Sequence, residues 1–139
     1  MSARGKARKR ALDIVFEADA KQIPIISVVG EHQRRRVADG QGELNPYSVE
    51  IAEGVAKNQE SIDALISEFS TGWTIERMPT VDRAILRVAI YELIYNTEIP
   101  DAVVISQAVE LAKELSTEES GSFVHGVLGA VSRSQGAIK

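Results

Sequence analysis

The side chains with chemical potential in this sequence are charges, and they are concentrated at one end. Arg4, Lys6, Arg8, Lys9 and Arg10 give the first ten residues a charge of +5 with no acid among them. The remaining chain keeps 11 of the 16 basic side chains and all 20 acidic ones, a charge of −9. An acidic body with a basic head fits a polyanion held by one end, although a solvated terminus gives the same count. Phe16 lies further along the same segment, where an aromatic ring either stacks on a base or fills the core; periodicity alone favours the core. Arg34, Arg35 and Arg36 form a second basic group, which helix-dipole complementarity explains as well as an extended basic surface does.

Other chemistries lack their residues. Without cysteine there are no disulfides, thiolate ligands or cysteine nucleophiles, and His32 and His125 stand alone, so no metal site assembles from familiar spacings. No phosphate-binding glycine loop, H-E-x-x-H or G-x-S-x-G occurs; Gly121, Gly126 and Gly129 sit in a helical pattern, where they suit close packing. Glu92 projects among Ile85, Val88 and Ala89 and must find a hydrogen-bond partner or shift its ionisation. A perturbed acid can be catalytic, but with no histidine or metal ligand assigned beside it a structural tie is the better reading. The expectation is a protein without enzymatic activity, cofactor or metal.

These residues must be positioned by helices. From Pro79 to Tyr95 apolar side chains point almost all round a helical axis, the mark of a buried helix, and at about fifteen residues with four charges it is too short and too polar for a bilayer. Thr80 is placed to cap it and Asp82 to meet its positive dipole end. Arg8 to Ala20 reads as helix with Leu12, Val15 and Phe16 on one face, so the basic residues precede most of its buried stripe, and their loss should leave stability nearly intact. Pro24 opens a second helix presenting Ile25, Ile26, Val28 and Val29, with Gly30 weakening it. Asn45 and Pro46 open a third, with Ile51, Val55, Ile62, Leu65, Ile66 and Phe69 in helical register and a break near Lys57-Asn58. Trp73, in the connector after Gly72, is expected to anchor in the core. Val104, Ala108, Leu111 and Leu115 mark another buried stripe, leaving Gln107, Glu110, Lys113 and Glu114 for solvent or a partner. Ser116-Thr117-Glu118-Glu119 has the form of a capping box, opening a helix that buries Phe123, Val124, Val127, Leu128 and Val131 and frays from Ser132. The pattern is all-α, and without a visible signal peptide the expected location is the cytoplasm.

Arg8-Lys9-Arg10-Ala11, Phe16-Glu17-Ala18, Pro79 to Arg87, Tyr91-Glu92-Leu93, Ala108 to Lys113 and Phe123 to Gly129 together resemble the NusB family of transcription antitermination factors. The likeness runs in order over nearly the whole chain. It implies two three-helix bundles in one compact unit, residues 1–70 carrying the basic RNA-binding head and residues 71–139 forming the second bundle. It implies a protein that pairs with the ribosomal protein NusE, grips single-stranded boxA of nascent ribosomal RNA, reaches RNA polymerase with other Nus factors, and suppresses premature termination. A homodimer is compatible with the same surfaces.

By position the resemblance makes Arg4, Lys6, Arg8, Lys9, Arg10, Phe16, Asp82, Glu119 and Phe123 RNA contacts. Gln107, Glu110 and Glu114 are the expected NusE face, read from their place off the buried stripe. Phe16 stands where the family often has Tyr, which removes a hydroxyl and keeps stacking; His125 replaces the usual Asn; Arg4-Gly5-Lys6 is sparser than an unbroken arginine run. The N-terminal RNA-binding module of ribosomal RNA cytosine methyltransferases shares the fold, but there a catalytic domain follows. The competing function is a helical adaptor that binds protein alone.

Overall fold

The computed structural model describes residues 2–138, with side chains placed for residues 2–135. Six helices follow one another: α1 (Ala3–Lys21), α2 (Ile25–Ala38), α3 (Pro46–Phe69), α4 (Thr80–Tyr95), α5 (Asp101–Leu115) and α6 (Glu118–Ile138). There is no strand among the described residues. α4 is the post, packed against α1, α3, α5 and α6. Its side chains from Ala84 to Leu93 are all buried, and Leu86 and Ile90 are fully enclosed, as a helix apolar on every side requires. No helix among the described residues is long and apolar enough to cross a membrane.

The local signals act through identifiable bonds. Asn45 Oδ1 accepts from the amide of Tyr47 at 2.8 Å, with Pro46 in the first turn of α3. Asn58 interrupts α3 at φ −112° and ψ 16°. Its side-chain amide donates at 2.8 Å to the carbonyl of Gly54, the acceptor its own backbone amide would use in an unbroken helix. At Gly54 the ring of Tyr91 lies against the α3 backbone, so a Cβ there would stand 2.0 Å from its Cε1.

Several expectations are corrected. Pro79, not Thr80, occupies the cap position of α4: its carbonyl accepts from the amide of Arg83 at 3.1 Å, and no side chain caps the helix. α6 is capped one residue later than the Ser116–Glu119 frame, Thr117 Oγ1 accepting from the amide of Ser120 at 3.0 Å. α6 extends to Ile138. Ile26 and Leu115 are exposed, because α2 and α5 bury narrower stripes than their apolar content offers. Of Gly121, Gly126 and Gly129 on α6, Gly121 packs closely against Lys113 Cγ, whereas Gly126 faces open space.

Candidate nucleic-acid interface

α1 begins at Ala3, so the basic residues lie within the helix and do not precede it. Ser2 Oγ accepts from the amide of Gly5 at 3.0 Å and fixes the first turn. Helical geometry then sorts the side chains by face. Gly5, Ala7 and Arg8 are buried, and Ser48 Oγ donates at 2.7 Å to the Ala7 carbonyl, joining α1 to α3. Arg4 and Lys6 are exposed, with Lys9 and Arg10 half-buried. Arg4 lies 5.6 Å from the Tyr47 ring centroid and 3.9 Å from Glu98, both loose contacts at the surface. Lys9 Nζ donates to Asp13 at 2.7 Å.

Arg8 is different in kind. Its Nε and Nη2 donate to the two oxygens of Glu92 at 2.6 and 3.0 Å, a bidentate pair between residues 84 apart in sequence. Glu92 is 0% exposed and Arg8 5%. Tyr47 completes the carboxylate, its hydroxyl donating to Glu92 Oε2 at 2.5 Å while accepting from Asn96 Nδ2 at 2.9 Å. Burial and the neighbouring Glu92 carboxylate both push the Tyr47 hydroxyl pKa up, so it stays a donor. The buried acid is therefore a tie between α1, α3 and α4. The expectation that all five basic residues are dispensable to stability fails at Arg8, because removing it strands a carboxylate in the core.

The aromatic and acidic candidates sit where the ends of three helices converge. Phe16 is 40% exposed, against the core expectation, in a shallow surface depression formed with Lys9, Leu12, Pro79, Val81 and Leu115. Phe123 is half-buried, and Trp73 meets its ring edge-on, with centroids 5.1 Å apart and planes at 67°. Trp73 is itself 38% exposed, which corrects its assignment to the core. Asp82 is fully buried, accepting from Ser120 Oγ at 2.8 Å, while its Oδ1 has no partner. It fastens the start of α6 to the start of α4, with exposed Glu119 beside that joint. Phe16 and Val81 thus share one surface, and Asp82 connects it to the α6 turn carrying Glu119 and Phe123.

The NusB family model matches residues 5–133. The chain belongs to the NusB family. It is 51% identical to the transcription antitermination protein NusB of Acidothermus cellulolyticus, over 99% of this chain and 92% of that one. It is 52% identical to the NusB of an Arthrobacter species, over 93% of this chain and 92% of that one. Among solved structures, T. maritima NusB superposes with a TM-score of 0.80 at 28% identity, covering 96% of this chain and 92% of that one. A complex of the antitermination factors NusB and NusE with double-stranded RNA contains a chain matching at TM-score 0.78 and 25% identity, over 94% and 96% of the two chains.

On this NusB scaffold, Gln107, Glu110 and Glu114 are all exposed on α5. His125, also exposed, lies across a shallow groove between α5 and α6 lined by Ile105, Val109 and Arg133. Among the described residues no group of His, Asp and Glu could hold a metal ion. Sequence reasoning missed Tyr47 and Asn96 as supports for Glu92, and missed a second set of charges. Arg83 Nε donates to Asp19 at 2.7 Å, and Arg87 holds Asp63 with two bonds of 2.9 Å, locking α4 to α1 and α3. The available signal was that Arg83 and Arg87 interrupt an otherwise buried helix, which obliges each to find a carboxylate.

Proposed function

We propose that this protein is a transcription antitermination factor which, paired with NusE, holds the single-stranded boxA element of nascent ribosomal RNA and suppresses premature termination. It does so without catalysis, in the cytoplasm, reaching RNA polymerase with other Nus factors. The observation that carries this reading is whole-length identity of about half to relatives named as transcription antitermination proteins, joined to a basic, aromatic-lined surface.

Arg4, Lys6, Lys9 and Arg10 supply phosphate contacts along α1, and Phe16 a platform on which a base stacks. Glu119 and Phe123 add contacts at the start of α6, where Trp73 props the Phe123 ring. Arg8 and Asp82 act through position: the first sets α1 on α4, the second sets α6 on α4. Residues 1–70 carry the head and residues 71–139 the partner face, where Gln107, Glu110 and Glu114 meet basic NusE; a homodimer would occlude these surfaces.

The test measures binding of a boxA strand, a scrambled strand and a boxA duplex, with and without NusE, at fixed salt. The reading expects the single boxA strand to be preferred by the pair. Equal affinity for the boxA and scrambled strands would favour a protein-only adaptor.

A further inference from the structure

The arginine triplet at the end of α2 is not used by the surface described above, yet it lies alongside. Lys6 and Arg10 precede Glu17 by eleven and seven residues, which places each within about 20° of Glu17 around α1, on opposite sides of it. That face is turned toward α2, because Glu17 Oε1 lies 3.0 Å from His32 Nε2. The His32 hydrogen bond, then Lys21, hold the Glu17 carboxyl below its usual range, consistent with a well-made contact between the helices. Only Gln22 to Pro24 separate α1 from α2, so α2 runs back along α1. Arg36 is one turn past His32, about 6 Å further, toward the end where Arg10 lies about 10 Å beyond Glu17. The triplet therefore ends about 4 Å short of the level of Arg10, the near end of the basic strip on α1, a gap within the reach of an arginine side chain.

The three guanidinium groups are not consumed by internal contacts. Arg34 is exposed, has no carboxylate within ion-pair distance among the described residues, and folds back so that its Nη1 would stand 3.3 Å from a Cβ at Gly30. Arg35 is exposed and, among the described residues, pairs only with Glu31, at 3.4 Å. Arg36 donates from Nη2 to the Gln41 carbonyl at 3.0 Å, and its buried Nε has no partner. The acids of this end are Glu31, Asp39 and Glu43, while Asp13 on α1 is engaged by Lys9. Complementing the α2 dipole concerns the last turn and needs no exposed, unpaired Arg34.

We propose that Arg34, Arg35 and Arg36 form a second phosphate-binding segment that carries the RNA strand from the α1 head onto α2, an inference that rests on the RNA reading above. Arginine suits the task, because its planar fork binds phosphate oxygens two at a time. The α1 head holds the core of the strand, and the α2 end holds nucleotides that extend beyond it.

The test uses the full chain with NusE, a short boxA strand, and boxA strands lengthened at one end or the other. Affinity is measured across a salt series for wild type, R34Q/R35Q/R36Q and R34Q/R35Q. The double variant keeps Arg36 and its bond to the Gln41 carbonyl, so it reports on binding with the loop support intact. With one of the lengthened strands, the slope of log K against log salt should fall by about 2 in the triple variant and about 1.4 in the double, at about 0.7 per phosphate contact. The short strand should show no change. Unchanged slopes on both lengthened strands overturn the proposal while leaving the RNA function standing, provided wild type still prefers boxA. Wild type that fails to distinguish boxA from a scrambled strand removes both. A variant that loses NusE affinity with unchanged RNA slopes assigns the triplet to protein contact and also overturns it.

Discussion

Replacing Arg8 by alanine separates a residue that supports the interface from one that forms it. The guanidinium provides two of the three hydrogen bonds that reach the Glu92 carboxylate, and the third comes from Tyr47. Because Glu92 is fully buried, the variant leaves a charge in the core with one neutral donor. Removing one partner of such a pair costs about 3–5 kcal/mol, whereas replacing both by apolar groups of similar volume is often close to neutral. R8A should therefore lower stability by about 3–5 kcal/mol, and R8M/E92L should recover part of that loss, with about 1–3 kcal/mol remaining because the Tyr47 hydroxyl, still accepting from Asn96, loses the acceptor for its proton. Denaturant unfolding, with the slope m checked for constancy, reads both. An R8A cost below about 1 kcal/mol would mean that the carboxylate is not isolated in the folded chain, and the account of α1 docking on α4 would be wrong.

Replacing Arg4, Lys6, Lys9 and Arg10 together by alanine should change stability little, since alanine favours helix and these contacts are loose or exposed. The same variant should reduce the salt slope of boxA binding by up to about 3, at about 0.7 per contact, as read by titration at several salt concentrations. L86A and I90A should each destabilise by about 2–5 kcal/mol, measured by unfolding, because both side chains are fully enclosed and truncation leaves a cavity. Reversing charge at Glu110 and Glu114 should slow association with NusE and weaken its salt dependence in stopped-flow mixing, with dissociation less affected.

The buried character of α4 was legible because fifteen consecutive positions leave only a few polar side chains, and no solvent-facing stripe remains. The Asn45-Pro46 start and the break at Asn58 were legible because both are made by local bonds within a few residues. That Glu92 needed a partner was legible; that the partner is Arg8 was not, since 84 residues separate them and several arginines could have served. For the same reason the sequence did not distinguish Arg8, which is buried and paired with Glu92, from the exposed basic side chains of α1. Trp73 was misjudged because its size argues for burial, whereas its contact is the edge-on Phe123 ring at the surface. The capping frame of α6 slipped by one because Ser116 and Thr117 are chemically equivalent caps, and the choice is made by Ser120, whose hydroxyl reaches Asp82. Phe16 was read from its spacing as core and is exposed, because helical spacing shows which face a residue occupies but not whether another helix covers that face.

In the proposed function, the α1 surface recognises RNA sequence when NusE is present. Its most direct test is the affinity ratio between a boxA strand and a scrambled strand of equal length, measured at one salt concentration for the complete pair and repeated with F16A. The wild-type pair should prefer boxA, and the preference should shrink when the Phe16 platform is removed, because phosphate contacts position the strand and stacking helps to select it. Equal affinity of the wild-type pair for both strands would contradict it.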